Sequence, residues 1–304
     1  MTCNLCPRGC KVDRRVAVGV CGASNTLRIG RAALHWWEEP PLVGDQGSGA
    51  IFFSYCPLHC VYCQNKELAA GAGIEVSAAE FRQIVLRLQN EEHAANINLV
   101  TPTHYVNLIA PILRDLKECG ALSIPVVYNT SGYESAASLA AMDGVVDIYL
   151  TDYKYADADV ARILSSAADY PRVALDALDA MYAQVGKPIF NEAGLMTKGV
   201  IVRHLVLPGY VKNSYAALDT LSSYADGRVL FSIMNQFTSL LAPDKLEHFG
   251  LEAQVTENDY EALLNYADEL GFGEYFWQEG GACEESFIPC FDGTGVKPTP
   301  KSKD

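Results

Sequence analysis

No apolar run in the chain is long enough to span a bilayer, so a membrane helix is not expected. Positive charge is also scarce. Against 37 Asp and Glu stand 23 Lys and Arg, a formal charge of −14. So acidic a chain repels bare phosphate backbones, which disfavours nucleic acid as a partner. The first residues lack the apolar core of a secretion signal, because Cys3 and Cys6 arrive at once. Internal repeats and low-complexity segments are missing too. What the chain does have is cysteine, 10 in 304 residues, in clustered spacings. Without a signal, that clustering reads as metal binding in a reducing, oxygen-poor cytoplasm rather than a disulfide framework. With 49% hydrophobic and 20% charged residues, the chain can build one large α/β domain and a small appendage.

The most informative stretch is Cys56-Pro57-Leu58-His59-Cys60-Val61-Tyr62-Cys63. The apolar run Ala50-Ile51-Phe52-Phe53 precedes it and reads as a buried strand. The cysteines therefore fall on a loop at the carboxyl end of a strand, where α/β folds place their active sites. Thiolates are soft ligands suited to iron–sulfur clusters, zinc or copper(I). Three on one compact loop can hold three irons of a [4Fe–4S] cube and leave the fourth open. The competing reading is a structural zinc knot, which wants four ligands and has only His59 to offer as the fourth.

Residues 1–45 read as a cysteine-rich segment with Cys3, Cys6, Cys10 and Cys21. Four thiolates suit a tetrahedral zinc or an auxiliary cluster, and spacing does not separate the two. Reduced cysteines without metal are the other reading. Trp36 and Trp37 are expected to pin this segment onto the main domain by core packing, with Pro40-Pro41 as a connector. Residues 46–255 alternate strand and helix. Apolar strands are expected at 50–53, 96–100, 124–129, 145–150, 200–206 and 229–234. Helices are expected at 77–94, opened by a capping box at Ser77 and Glu80, at 105–119 and at 173–185. Repeated β-α units imply a parallel sheet with right-handed connections, and six of them imply an open, partial (β/α)6 TIM-like barrel. Residues 256–304 read as a C-terminal helix and tail, in which Cys283 and Cys290 are either further metal ligands or free thiols. Cys119 is expected to be a buried apolar filler, and His104 and His204 to be structural.

Polar residues gather just after the strands, on one rim, where a pocket is expected. The loop at Cys56 resembles the signature of the radical S-adenosylmethionine (SAM) superfamily, C-x3-C-x-aromatic-C. Over most of its length the chain looks closest to the activating enzymes of glycyl-radical enzymes, such as pyruvate formate-lyase activating enzyme. It resembles in particular a related branch with the leader Cys3 to Arg14, the loop Tyr62-Cys63-Gln64-Asn65, and Thr101-Pro102-Thr103-His104-Tyr105.

That resemblance implies that Cys56, Cys60 and Cys63 ligate a [4Fe–4S] cluster whose open iron chelates SAM, with Tyr62 near the adenine. It implies further that Asn65 lies near SAM. Thr101, Thr103 or the backbone there would supply the contact made elsewhere by the glutamate of a Gly-Gly-Glu motif. Asn129, Thr130 and Ser131 would stand in an Asp-Thr-Asn-Gly segment beside SAM. Lys154 could pair with SAM's carboxylate, and Asp152 could bind a ribose or a cation. Arg203 would lie near SAM and Gln236 on the adenine side. The plain alternative for Asp152 and Lys154 is a surface ion pair. The implied reaction is reductive cleavage of SAM to a 5′-deoxyadenosyl radical that abstracts hydrogen, with a donor such as flavodoxin or ferredoxin. The substrate would be a glycyl-radical enzyme, a peptide or a small metabolite. A non-catalytic iron–sulfur or zinc protein is the remaining reading.

Overall fold

A computed structural model describes residues 2–237, 240–252, 254–278 and 288–297. Its strands in chain order are β1 (Leu27–His35), β2 (Ser48–Phe53), β3 (Ile74–Val76), β4 (Ile97–Val100), β5 (Val126–Thr130), β6 (Ile148–Asp152), β7 (Ile189–Phe190), β8 (Met196–Leu205), β9 (Leu230–Met234) and β10 (Phe276–Trp277). The sheet order is β10-β9-β8-β6-β5-β4-β2-β1-β3, with β7 paired to β8 alone. From β2 to β9 every neighbouring pair is parallel, so the six strands expected from the sequence form one continuous parallel sheet. The sheet is open rather than closed: antiparallel β1 and β3 flank one edge and β10 the other.

Four strands were not expected: β1, β3, β7 and β10. β1 lies inside the cysteine-rich segment and pairs along β2 from Ile29↔Phe53 to His35↔Ser48. Its alternation of apolar and charged residues is broken where the register shifts between Ile29 and Arg31, which hides it from a period-two reading. Trp36 and Trp37 are not core residues; they are 49% and 56% exposed. The segment is held by strand pairing instead, and Pro40 and Pro41 begin a short helix, Pro40–Val43.

The helix Ala78–Asn90 starts as expected, with both capping-box bonds formed between Ser77 and Glu80. Its buried face is Phe81, Ile84, Val85 and Leu88. That face packs on the outer side of the sheet, where Ile51, Phe53, Leu99, Tyr128, Val200 and Val202 join one large core. On the inner side, Leu42, Val127, Ile148, Leu150, Met196 and Ile201 form a separate apolar layer. Leu42 comes from the short helix, so this helix plugs the floor of the half-barrel. Cys119, expected to be buried, is exposed at the end of its helix, because the last turn leaves the sheet there.

Candidate functional site

The loop after β2 bends sharply, and Tyr55 and His59 take φ of 73° and 57°. Non-glycine residues enter this region only when neighbours hold them there. Tyr55 lies over Gly22 and Gly71, where a Cβ would meet the ring at 3.0 and 2.6 Å. The His59 ring bonds the carbonyl of Val20 at 2.9 Å. Arg8 closes the arrangement. Its guanidinium donates to the carbonyls of Pro57 (2.9 Å), Leu58 (3.0 Å), Ser165 (2.8 Å) and Ser166 (2.5 Å), and lies 5.3 Å from the Tyr133 ring centre. The N-terminal segment is thus fastened directly onto the cysteine loop.

Within the loop, the Leu58 N–H donates to Cys56 Sγ at 3.4 Å and the Ser165 hydroxyl to Cys60 Sγ at 3.1 Å. Burial pushes the Cys56 thiol up to about 11 and that of Cys63 to about 12, and the neighbouring cysteine sulfurs add to both shifts. Three sulfurs sharing one buried space, with N–H and O–H groups aimed at them, fit a cluster that takes them as thiolates. Among the described residues, no three of His, Cys, Asp and Glu are gathered to hold a single metal ion. A [4Fe–4S] cube asks for more widely spaced sulfurs than one ion does. Tyr62 is buried, with its hydroxyl 2.7 Å from that of Tyr155 and its ring 6.1 Å from Phe237. Asn65 opens the short helix Lys66–Ala69, and Gln64 reaches the carbonyl of Gln236 at 3.4 Å.

Below the loop lies a buried polar layer. Lys154 Nζ pairs with Asp152 Oδ2 at 2.5 Å, and Arg203 Nε with Asp152 Oδ1 at 2.8 Å. Arg203 Nη2 donates to Asn129 Oδ1 at 2.8 Å and Nη1 to Glu38 Oε2 at 3.4 Å. Asn98 and Asn129 both donate to Glu38 Oε1, at 3.0 and 3.2 Å. Asp152 and Lys154 are therefore not a surface ion pair; their side chains are 12% and 16% exposed. Burial alone would raise Asp152, but Arg203 and Lys154 outweigh it and hold the carboxyl below its usual range. Burial raises Glu38 and Glu39, against the pull of Arg203.

The other proposed residues make their side-chain or backbone bonds around the layer rather than within it. Thr103 and Thr130 give their hydroxyls to buried Glu134, at 2.5 and 2.6 Å, and Ser138 gives its own at 2.7 Å. Ser131 lends its carbonyl to the Tyr170 hydroxyl at 2.7 Å. Thr101 sits at φ 60° with its N–H on the Asn129 carbonyl at 2.8 Å. His204 points away from Arg203, between the Tyr153 carbonyl (2.7 Å) and Ser214 Oγ (2.9 Å), as strand alternation requires. In the N-terminal segment Cys6 and Cys21 are buried and Cys3 and Cys10 partly so, while Cys283 lies outside the described residues. The sulfurs of Cys10 and Cys21 flank Gly19, at 3.0 and 3.7 Å from where its Cβ would be.

Sequence reasoning missed Arg8, Glu38, Glu39, Asn98 and Glu134. Asn98 carried a signal, being a polar residue inside an apolar strand. Glu38 and Glu39 carried none, because nothing local marks a loop as entering a barrel.

No family model matches the chain. An uncharacterized protein of Methanocaldococcus jannaschii is 26% identical over 281 residues, covering 88% of this chain and 74% of its own. SuiB of Streptococcus suis, solved bound to S-adenosylmethionine, is 14% identical with a TM-score of 0.46, over 77% of this chain. This chain spans 47% of SuiB, about half its length. Methylornithine synthase is 16% identical with a TM-score of 0.49, over 82% of this chain and 65% of its own. A radical SAM methyltransferase from Sphaerobacter thermophilus is 12% identical with a TM-score of 0.49, over 75% of this chain and 64% of its own.

Proposed function

We propose that the protein is a radical SAM enzyme that cleaves S-adenosylmethionine reductively and abstracts hydrogen from a substrate held in the half-barrel. The observation that carries this reading is the three-thiol loop at the carboxyl end of β2, set against a buried charged layer on the inner face of the same sheet. Cys56, Cys60 and Cys63 would hold the [4Fe–4S] cluster, which supplies the electron for SAM cleavage when bound. Tyr62 walls the loop beside Phe237. Lys154 offers a cation on the cysteine side of the layer for a carboxylate, its charge secured by Asp152 despite burial. The Leu42 plug leaves the mouth as the entrance, so a protein or peptide substrate would present its reacting segment there. Activation of a glycyl-radical enzyme is one form of that chemistry. Cys3, Cys6, Cys10 and Cys21 are proposed as a second metal set, for an auxiliary cluster or for a zinc ion that would have to draw their sulfurs together.

The test is anaerobic reconstitution, with iron, sulfide and zinc counted and the reduced protein examined by electron paramagnetic resonance with and without SAM. A [4Fe–4S]⁺ signal that changes with SAM, together with 5′-deoxyadenosine, is expected. Replacing Cys56, Cys60 and Cys63 by Ala should abolish both while sparing metal on the N-terminal set. Survival of SAM cleavage in that variant refutes the assignment.

A further inference from the structure

Within the buried layer, hydrogen bonds and ion pairs define an order of depth. Lys154 stands nearest the cysteine loop, where its charge acts on Cys56 and is itself favoured by Cys60. Then come Asp152, Arg203, Glu38 and Asn98 in turn. Asn98 is only the second residue of β4, well below the mouth, and is in register with Val127 of the apolar floor. The positive groups therefore sit toward the mouth and the middle, and the deep end is acidic.

Two observations in the layer, Glu39 at the level of Arg203 and Asn98 at the deep end, are unexplained by the network itself. Glu39 is 7% exposed and lies 3.9 Å from Arg203, with Ser232 also favouring its charged form, and its Oε2 has no hydrogen-bond partner. Asn98 is fully buried; its amide nitrogen is spent on Glu38, and its Oδ1 has no partner. Both vacant groups are acceptors. Burial raises both Glu38 and Glu39, so the layer is balanced when the two glutamates share one proton and carries one surplus negative charge when both are ionised, and a cation from outside can take that proton's place. Buried acceptors and a surplus buried charge are each costly unless a donor meets them. A bare metal ion is a poor candidate, because the Arg203 guanidinium is wedged between Glu38 and Asp152 and bonds both.

We propose that Glu38, Glu39 and Asn98 form the subsite for a positively charged, hydrogen-bond-donating group of the substrate, a primary ammonium or a guanidinium. This rests on the radical SAM reading only for the word substrate; the subsite itself follows from the charge and the vacant acceptors. The cofactor would occupy the cysteine and Lys154 end, and the substrate would enter with its cationic end toward the floor. Ammonium and guanidinium carry several donors, which matches two acceptors on different elements better than a single-donor group does.

The probes are n-butylammonium and n-butylguanidinium chloride, measured by ligand-observed NMR on reconstituted protein, with butyrate and potassium chloride as competitors. Saturable binding of the two cations, mutual competition and no butyrate binding are expected. Glu39→Gln, which keeps the shape and removes the charge, should weaken binding about tenfold or more. Equal binding of butyrate, no binding of either cation, or unchanged affinity in Glu39→Gln overturns the proposal. So does displacement by potassium at equal concentration, which would make the site one for an inorganic ion. That competition uses the wild-type protein and stands even if the variant fails to fold. SAM cleavage by the same wild-type preparation tests the reaction separately. Binding without cleavage refutes the function and keeps the subsite; cleavage without binding refutes the subsite alone.

Discussion

Arg8 concentrates four carbonyl bonds in one side chain and spans from the N-terminal segment to the cysteine loop. A single ammonium cannot reproduce a planar fork aimed at two separate loops. If the loop holds the proposed cluster, Arg8→Ala and Arg8→Lys are therefore both expected to shorten its retention at least severalfold, measured as iron release to a chelator under anaerobic conditions. Retention equal to wild type in both would reduce Arg8 to a surface contact. Glu134 is the corresponding anchor on the other side, taking hydroxyls from Thr103, Thr130 and Ser138 in a buried place. Glu134→Ala leaves those hydroxyls without an acceptor and should cost about 3 kcal/mol in denaturant unfolding. At this scale the cysteines of the loop were legible because ligand spacing is a local property. Thr103 and Thr130 were read as lining the site, yet they bond a carboxylate that only the fold brings to them.

Strands and helices followed from local pattern wherever burial is one-sided or complete. The six parallel strands were found because each is an apolar run, and the helix at Ala78 because its capping box is written in four residues. β1 escaped because its register shift breaks the alternation. Alternation also sends Arg203 to the inner face and His204 to the helix side, where a neutral ring is held by Tyr153 and Ser214. Burial pulls the His204 ring down to about 4 from an ordinary 6.5. The unfolded chain then takes up a proton below pH 6.5 that the folded chain refuses, so this histidine's contribution to stability is lost as pH falls from 6.5 toward 4. The stability difference between wild type and His204→Gln should shrink by about 2 kcal/mol from pH 7 to pH 5. A difference that does not change with pH would mean the ring titrates in the folded protein as it does in the unfolded chain.

At the scale of the whole molecule, the N-terminal segment is not an ornament on the barrel. β1 pairs along the full length of β2, Cys21 and Ala23 join the main core, and the chain then dips inward to place Glu38, Glu39 and Leu42. Hydrogen exchange should accordingly find the amides of β1 opening only with global unfolding, together with those of β2. Earlier opening of β1 would make residues 1–45 a separately folding unit. Leu42→Ala should cost about 3 kcal/mol by leaving a cavity in the floor. Composition, cysteine spacing and the rhythm of apolar runs by themselves determined the α/β class, the open parallel sheet and the place of the three-thiol loop, because each depends on residues close in the chain. Only the tertiary structure decided which polar residues share the buried layer, that Arg8 clamps the loop, and that two glutamates from a connecting segment lie inside the barrel. Apart from Lys154 with Asp152, those contacts join residues between 49 and 165 positions apart, and at such separations no local period or spacing carries information about which groups will meet.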